Sequence, residues 1–448
     1  MPRCCGGNRK SARARWIFPV DPRHFIISTR RRTSATTNAR MSKLDYPTRI
    51  GLEEALQIVA ARCVPHRLPA ETIALPNAHG RILAEDVHAA HDLPPFANSA
   101  MDGFALRGAD LPNEGECTLR IIGEVFAGSK NAPVVGEGEC VRIMTGASIP
   151  LGVDTVVIKE NTRVEDDRVL VRAGEKPGAN VRAAGEDYAR GALVLPTGAR
   201  LRAPQLAVLA ALGCARVSAR RKPRVAVIVT GDELVDIGQP LGFGQIHESN
   251  GVTLSALLQE SGARVVSQIR VRDEPDALRA ALLDAAAHAD LIVSSGGVSA
   301  GEADHLPKLL AELGEIHFHK VRLKPGMPVL FAEIGASLYF GLPGNPVSTA
   351  VTFQVFVRFA LATMLGETHE RALLHARLSE GVSKKHARAE LLRCSLASDS
   401  EGVLWATPHP QQGGHMLRGL VESNALVLLP EDARELGRGS TVTVWPTS

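Results

Sequence analysis

Between Gly51 and Val64 the apolar residues Leu52, Ala55, Leu56, Ile58 and Val59 recur at helical spacing, which predicts a helix there. Residues 81–92 (RILAEDVHAAHD) alternate as an extended segment, ended by Pro94-Pro95. From about 96 to 182 the apolar runs shorten to strand length (TLRIIGEV, ECVRIMTG, TVVIKEN, RVLVRAG), with frequent turn residues between them. That pattern predicts a β-rich domain. Within 183–222, GALVLPTG signals a turn, and PQLAVLAALG predicts a helix from Pro204 that Gly213 closes.

The period changes at Lys222-Pro223. RVAVIVTG (224–231) is an unbroken apolar run ending in glycine, as expected of a strand buried on both faces. SNGVTLSALLQESG then reads as a helix, capped by Ser249 or Asn250 and stopped by Gly262. A strand (ARVVSQIRV), an acid-started helix (DEPDALRAALLDAAAHA) and a buried strand (DLIVSSGG) follow. Next come a helix (ADHLPKLLAELG), two strands (PVLFAEIG, SLYFGLPG) and a long helix (PVSTAVTFQVFVRFALATML). Such alternation predicts a doubly wound, mostly parallel α/β sheet. Past about 370 short strands return, predicting a small C-terminal β domain. The expected fold class is therefore α/β plus β, in several domains.

Charge refines this picture. The 448 residues carry a formal net charge of +3, yet residues 1–40 hold ten Lys/Arg against one acid, Asp21. The remainder has 41 basic and 47 acidic residues, so the body of the chain offers no nucleic-acid surface. Aromatics are 4%, which argues against stacking platforms for single strands. Residues 1–40 read as an extension ahead of a start at Met41. A disordered tail and an Arg-rich transit peptide are the other readings. Seven cysteines without a CxxC pair indicate neither a zinc ribbon nor a disulfide framework, and fit a reducing cytoplasm. No unbroken apolar run approaches the ~20 residues of a membrane span. The stretch 347–365 carries Gln354 and Arg358 and reads as a buried helix.

Candidate chemistry collects at the predicted strand ends, where open α/β sheets bind ligands. They carry TGDEL (230–234), SSGGVSAGEADH (294–305), KPGMP (324–328) and GLPGNPVS (341–348). Gly296 and Gly297, with Ser294, Ser295 and Ser299, form a candidate phosphate or oxyanion cradle, because glycine lets backbone N–H groups approach an anion. Lys320 and Lys324 are candidate counter-cations. Asp232, Glu233, Asp273, Glu302 and Asp304 supply the hard oxygen ligands that Mg²⁺ shares with phosphate. A second set lies in the β-rich region: Asp102 before Gly103, Thr145 before Gly146, and Arg182, Glu186 and Asp187 in RAAGEDYARG. His317 and His319 read as structural, and His247 as a possible ligand contact.

Seven ordered motifs, SAMDGFA, RIMTGA, AGEDYARG, VTGDEL, SSGGVSAGEADH, KPGMPV and GLPGNPVS, make residues 44 to 445 resemble the molybdopterin molybdenumtransferase family (MoeA, with the gephyrin E domain as its animal relative). The resemblance implies an elongated homodimer. Its parts would be a linker or dimerisation domain (41–93 and 183–222), a β-rich domain (94–182), an α/β molybdopterin-binding domain (223–370) and a C-terminal β domain (371–448). The active site would lie between the α/β domain of one subunit and the β-rich domain of the other. Motif by motif, it implies roles for Asp102, Thr145, Asp187, Glu233, Asp273 and Asp304 in catalysis, with Glu233 and Asp304 near the metal. Arg182, Gly296, Gly297, Ser299, Lys320, Lys324, Pro343, Gly344, Asn345 and Pro346 would hold substrate. Met327 stands where the family often has lysine, and His305 where tyrosine is frequent.

The implied reaction is Mg²⁺-dependent and cytoplasmic. Adenylylated molybdopterin and molybdate are the substrates, and AMP is released. Transient contact with the molybdopterin adenylyltransferase and with molybdoenzyme chaperones would follow, without nucleic acid or membrane. Rival readings are an adenylyltransferase (discriminated by ATP and free molybdopterin), a scaffold, and a tungstate-handling variant.

Overall fold

A computed structural model describes residues 46–298, 305–368 and 373–447. Strand β1 (Thr48–Ile50) and helix α1 (Leu52–Cys63) come first. The helical spacing of α1 buries Leu52, Ala55, Val59 and Cys63 on one stripe. The strand Ala70–Ala74 pairs antiparallel with Arg216–Arg220, so two stretches distant in sequence form one unit. Helix α2 (Ala203–Ala211) packs there, burying Leu209 among Leu83, Leu201 and Val217.

The β-rich region is a six-stranded sheet of β2 (Gly103–Leu106), β3 (Glu116–Val125), β4 (Glu139–Ile143), β5 (Thr155–Ile158), β6 (Thr162–Glu165) and β7 (Arg168–Arg172), in the order β5-β2-β4-β3-β7-β6. Both faces are covered. Phe104, Leu106 and Val157 enter one core, and Ala105, Val141 and Val156 the other, as period-two alternation dictates.

The α/β region runs β8 (Arg224–Thr230), α3 (Asn250–Glu260), β9 (Arg264–Val271), α4 (Pro275–His288), β10 (Leu291–Ser295), α5 (Leu306–Leu313), β11 (Glu315–Val321), β12 (Leu323–Lys324), β13 (Leu330–Ile334), β14 (Ser337–Leu342), α6 (Pro346–Thr352) and α7 (Arg358–Leu365). A π-helical turn, Phe353–Val357, joins the last two. The sheet order is β1-β11-β13-β14-β10-β8-β9. Val225, Val227 and Val229 of β8 face α1, α3 and the α6–α7 helix, while Ala226 and Ile228 face α4 and α5. Helices on both faces make the sheet doubly wound. It is mixed, however: β13 runs antiparallel to β11 and β14, because a two-residue turn at Gly335 returns the chain directly. The 346–365 helix has the length and composition of a membrane span, yet 78% of its most apolar window is buried inside the fold.

The C-terminal strands β15 (Leu374–Leu378), β16 (Ala389–Ser398), β17 (Leu404–Pro408), β18 (Ala425–Leu429) and β19 (Thr441–Pro446) form a closed barrel in the order β16-β17-β15-β19-β18, with β18 pairing back to β16. Strand β12 of the α/β region joins its rim in parallel with β16, in register Leu323↔Ala389 and Lys324↔Glu390.

Candidate functional site

Three strand-end loops meet at the carboxyl edge of the α/β sheet. Gly296 has φ +98°, and a side chain built there would put its Cβ 2.4 Å from the Thr230 carbonyl oxygen. Only glycine fits that backbone beside β8. The nearest atom to a Cβ on Gly344 is the Gly296 Cα at 3.7 Å, so the GLPGNP loop lies directly on the SSGG loop. Asn250 ties them together: its amide Nδ2 donates to Ser295 Oγ at 2.8 Å and to the Gly344 carbonyl at 2.7 Å. Asp273 enters from β9, its Oδ1 3.7 Å from where a Gly297 Cβ would stand.

The cradle's serines are not free for an anion. Ser294 and Ser295 alternate to opposite faces of β10; the Ser294 hydroxyl pairs with the Tyr339 hydroxyl, and Ser295 with Asn250, Pro343 and Thr349. What remains for a ligand is the backbone and Gly344 and Asn345, both exposed. Asn345 is the N-cap residue and Pro346 the first residue of α6, and Pro343 is buried behind them. Val347 N–H donates to the Gly414 carbonyl at 3.1 Å, so the loop before the short helix Arg418–Val421 also reaches this helix start.

Glu233 is exposed beside Gly231, and Asp232 Oδ1 accepts from the Asp273 N–H at 3.4 Å, linking the ends of β8 and β9. Next to them is a hollow of about 490 Å³, within the range of small-ligand clefts. Arg270 and Arg272 in its wall are cations that motif reading passes over. Asp236 and the Leu234 carbonyl orient Arg270, at 3.2 and 2.7 Å. Ser249 occupies the N-cap of α3 without a side-chain cap bond; the buried Glu248 carboxylate instead accepts the Gly251 N–H at 2.7 Å. His247 Nε2 donates to the Gln239 carbonyl at 2.9 Å and so serves its own loop.

Lys320 has φ +68°, a left-handed conformation that costs a lysine about 1 kcal/mol. It falls where β11 turns: its N–H donates to the Val329 carbonyl, and the preceding His319 donates to the Val298 carbonyl just past Gly297. Among the described residues the Lys320 side chain has no recorded hydrogen-bond or ion-pair partner. Lys324 Nζ, four residues on, lies 2.8 Å from Glu390. Ser299 and Asp304, with Glu302, fall outside the described residues.

In the β-rich region Asp102 and Thr145 meet. Asp102 Oδ1 accepts the Thr145 N–H at 2.9 Å and its hydroxyl at 2.8 Å. These bonds, the backbone one first, hold the Asp102 carboxyl below its ordinary range, with Lys159 adding to them. Gly103 follows because a Cβ there would stand 2.0 Å from the Val157 carbonyl oxygen. A hollow of about 310 Å³ beside the pair carries Arg142 and Lys159. Arg182 and Asp187 are exposed; Arg182 pairs across from Asn98, on the segment that leads into Asp102, and Asp187 N–H donates to the Leu93 carbonyl. Among the described residues no hydrogen bond or ion pair links Asp102, Thr145, Arg182 or Asp187 to the strand-end loops. Asp102 and Thr145 thus adjoin the six-stranded sheet, and the glycine loops the seven-stranded one.

Among the described residues, no three His, Cys, Asp or Glu side chains gather into a metal cage. Mg²⁺ needs none when one or two carboxylates and a substrate phosphate share its shell. Exposed Glu233 beside the glycine loops fits that mode.

The chain matches the MoeA N-terminal region (domain I and II) over residues 50–213, a probable molybdopterin binding domain over 226–363, and the MoeA C-terminal region (domain IV) over 375–447. It is 36% identical over 386 residues to a molybdopterin molybdenumtransferase of Haemophilus influenzae, covering 86% of this chain and 95% of that protein. A molybdopterin molybdenumtransferase of Nostoc is 38% identical over 386 residues, covering 84% and 88%. The solved molybdopterin biosynthesis moeA protein of Pyrococcus horikoshii superposes with TM-score 0.77 at 28% identity, covering 89% of this chain and 99% of that one.

Proposed function

Because this chain belongs to the MoeA family of molybdopterin molybdenumtransferases, we propose that it moves molybdenum from molybdate onto adenylylated molybdopterin and releases AMP. The observation that carries this reading is the convergence of the Gly296 and Gly344 loops, bridged by Asn250, with Asp273 at their edge. Such a cradle suits the phosphate end of a pterin.

The chemistry joins two anions. Two unit charges at ~4 Å repel by about 4 kcal/mol at an effective dielectric near 20. Lys320, Lys324 and the amides of Gly296, Gly297, Gly344 and Asn345 offset this, and Arg182 helps hold the substrate. Mg²⁺, held by Glu233 and Asp304 with the substrate phosphate, would supply further charge neutralisation. The two dithiolene thiols displace two oxo ligands of molybdate, which leave as water with protons from the thiols and from solvent, and one water hydrolyses the phosphoanhydride to AMP and the terminal phosphate of the loaded pterin. Asp273 and Asp187 position the reacting groups. Catalysis on this account is positioning and charge neutralisation. Pro343 and Pro346 fix the turn that aims its amides.

Asp102 and Thr145 would act on the cleft of a second copy in a homodimer, in the cytoplasm. That the pair adjoins a different sheet from the glycine loops supports this. Glu233→Ala and Asp187→Ala should each fold and lose molybdenum insertion. Full insertion by both variants would refute the assignment.

A further inference from the structure

Lys324 does not stand alone. Strand β12, which carries it, is hydrogen-bonded in parallel to β16 of the C-terminal barrel, with Lys324 opposite Glu390. The Glu390 carboxylate is buried (5% exposed), while the lysine side chain remains 44% exposed. Oε1 faces Lys324 Nζ at 2.8 Å, and Oε2 faces His386 Nε2 at 3.3 Å. His386 is itself set by its backbone neighbourhood: its Nδ1 accepts the Arg388 N–H at 3.4 Å. The buried carboxylate is set by its place on β16, and the half-exposed lysine reaches across to it. A lysine ammonium has three donors. Glu390 takes one, and among the described residues the other two have no recorded partner.

We propose that Glu390 is a positioning residue that holds Lys324 ready for the oxyanion, which gives the C-terminal barrel a part in substrate capture. The proposal rests on the reading of Lys324 as an anion-binding lysine. A four-carbon stem ordered in advance loses less rotamer freedom when the anion arrives. Glu390 touches neither substrate nor metal in this scheme, so its effect falls on molybdate capture and not on the maximal rate.

The test uses the intact chain and its Lys324→Ala, Glu390→Gln and double variants. Each is assayed for half-saturating molybdate and maximal AMP release from adenylylated molybdopterin. Glu390→Gln should raise half-saturating molybdate about tenfold and leave the maximal rate within about twofold. The double variant should be no worse than Lys324→Ala alone, because both changes remove one interaction. A Glu390→Gln effect that adds in full to that of Lys324→Ala, or no effect at all, overturns the proposal and leaves the site reading standing. An unchanged half-saturation in Lys324→Ala removes the site reading and the proposal with it. Should Glu390→Gln fail to fold, the ¹⁵Nζ signal of Lys324 in the unaltered protein decides. Slowed proton exchange is expected; exchange as fast as that of ordinary surface lysines overturns the proposal.

Discussion

Asp102 accepts both hydrogen bonds of one residue, the N–H and the hydroxyl of Thr145, on a single carboxylate oxygen. The pair clips SAMDGFA to RIMTGA, helped by the Gly146 N–H on the Ser99 carbonyl. Thr145→Val keeps the backbone bond and loses the other. The Asp102 carboxyl should then titrate closer to its ordinary range, seen by carboxyl NMR. The sign is that of a depressed acid: the bonds stabilise the fold above the ordinary carboxylate value and fade as pH falls through the lowered one. An unmoved titration would mean that the hydroxyl bond contributes nothing.

Gly296→Ala tests the cradle. The substitution meets both a positive φ and the Thr230 carbonyl oxygen. Strain of this kind costs about 1–3 kcal/mol. Unfolding in denaturant should show that loss, and pterin binding, followed by fluorescence quenching, should weaken more than tenfold. Native stability and native binding together would contradict the geometry.

Asp290 anchors the junction at Lys222-Pro223. Burial pushes its carboxyl up, but bonds from Arg221 and Arg224 outweigh this and hold it at about 2. The stability it supplies is present above the ordinary value of 3.8 and disappears as pH falls toward 2. Asp290→Asn should cost about 2 kcal/mol at pH 7 and make stability flatter with pH below 4. Denaturant unfolding at pH 7 and pH 3 checks both; equal losses at the two pH values would contradict it.

Thiol labelling reports on the cores. Cys63, Cys140 and Cys394 are fully buried, and burial pushes the Cys140 and Cys394 thiols up to about 12. Among the described residues, Cys117 and Cys214 are partly exposed. Of these five cysteines, a thiol reagent at pH 8 should modify Cys117 and Cys214 and spare the buried three until the protein unfolds. Early labelling of Cys394 would place the barrel wrongly.

Much of this was legible in local sequence. The strand β8 announces itself as an unbroken apolar run, and Gly103, Gly296 and the Pro343–Pro346 turn mark places where backbone approaches backbone. Two features escaped local reading because they depend on distant partners. Ser294 and Ser295 look like a cradle in one dimension, yet strand alternation sends the first to Tyr339 and the second to Asn250. Nothing near Lys324 in sequence names Glu390, 66 positions along; only the pairing of β12 with β16 does. The cap of α3 falls on Ser249, one of the two residues expected, but the Gly251 N–H bonds to the carboxylate of the preceding Glu248 and not to the serine hydroxyl.

The central claim is tested most directly by incubating the purified protein with adenylylated molybdopterin and Mg²⁺, with and without molybdate, and measuring AMP. The account predicts AMP release that depends on molybdate and yields a product able to reconstitute a molybdoenzyme. Bound pterin with no molybdate-dependent AMP would contradict it, and would leave a carrier that kept the fold.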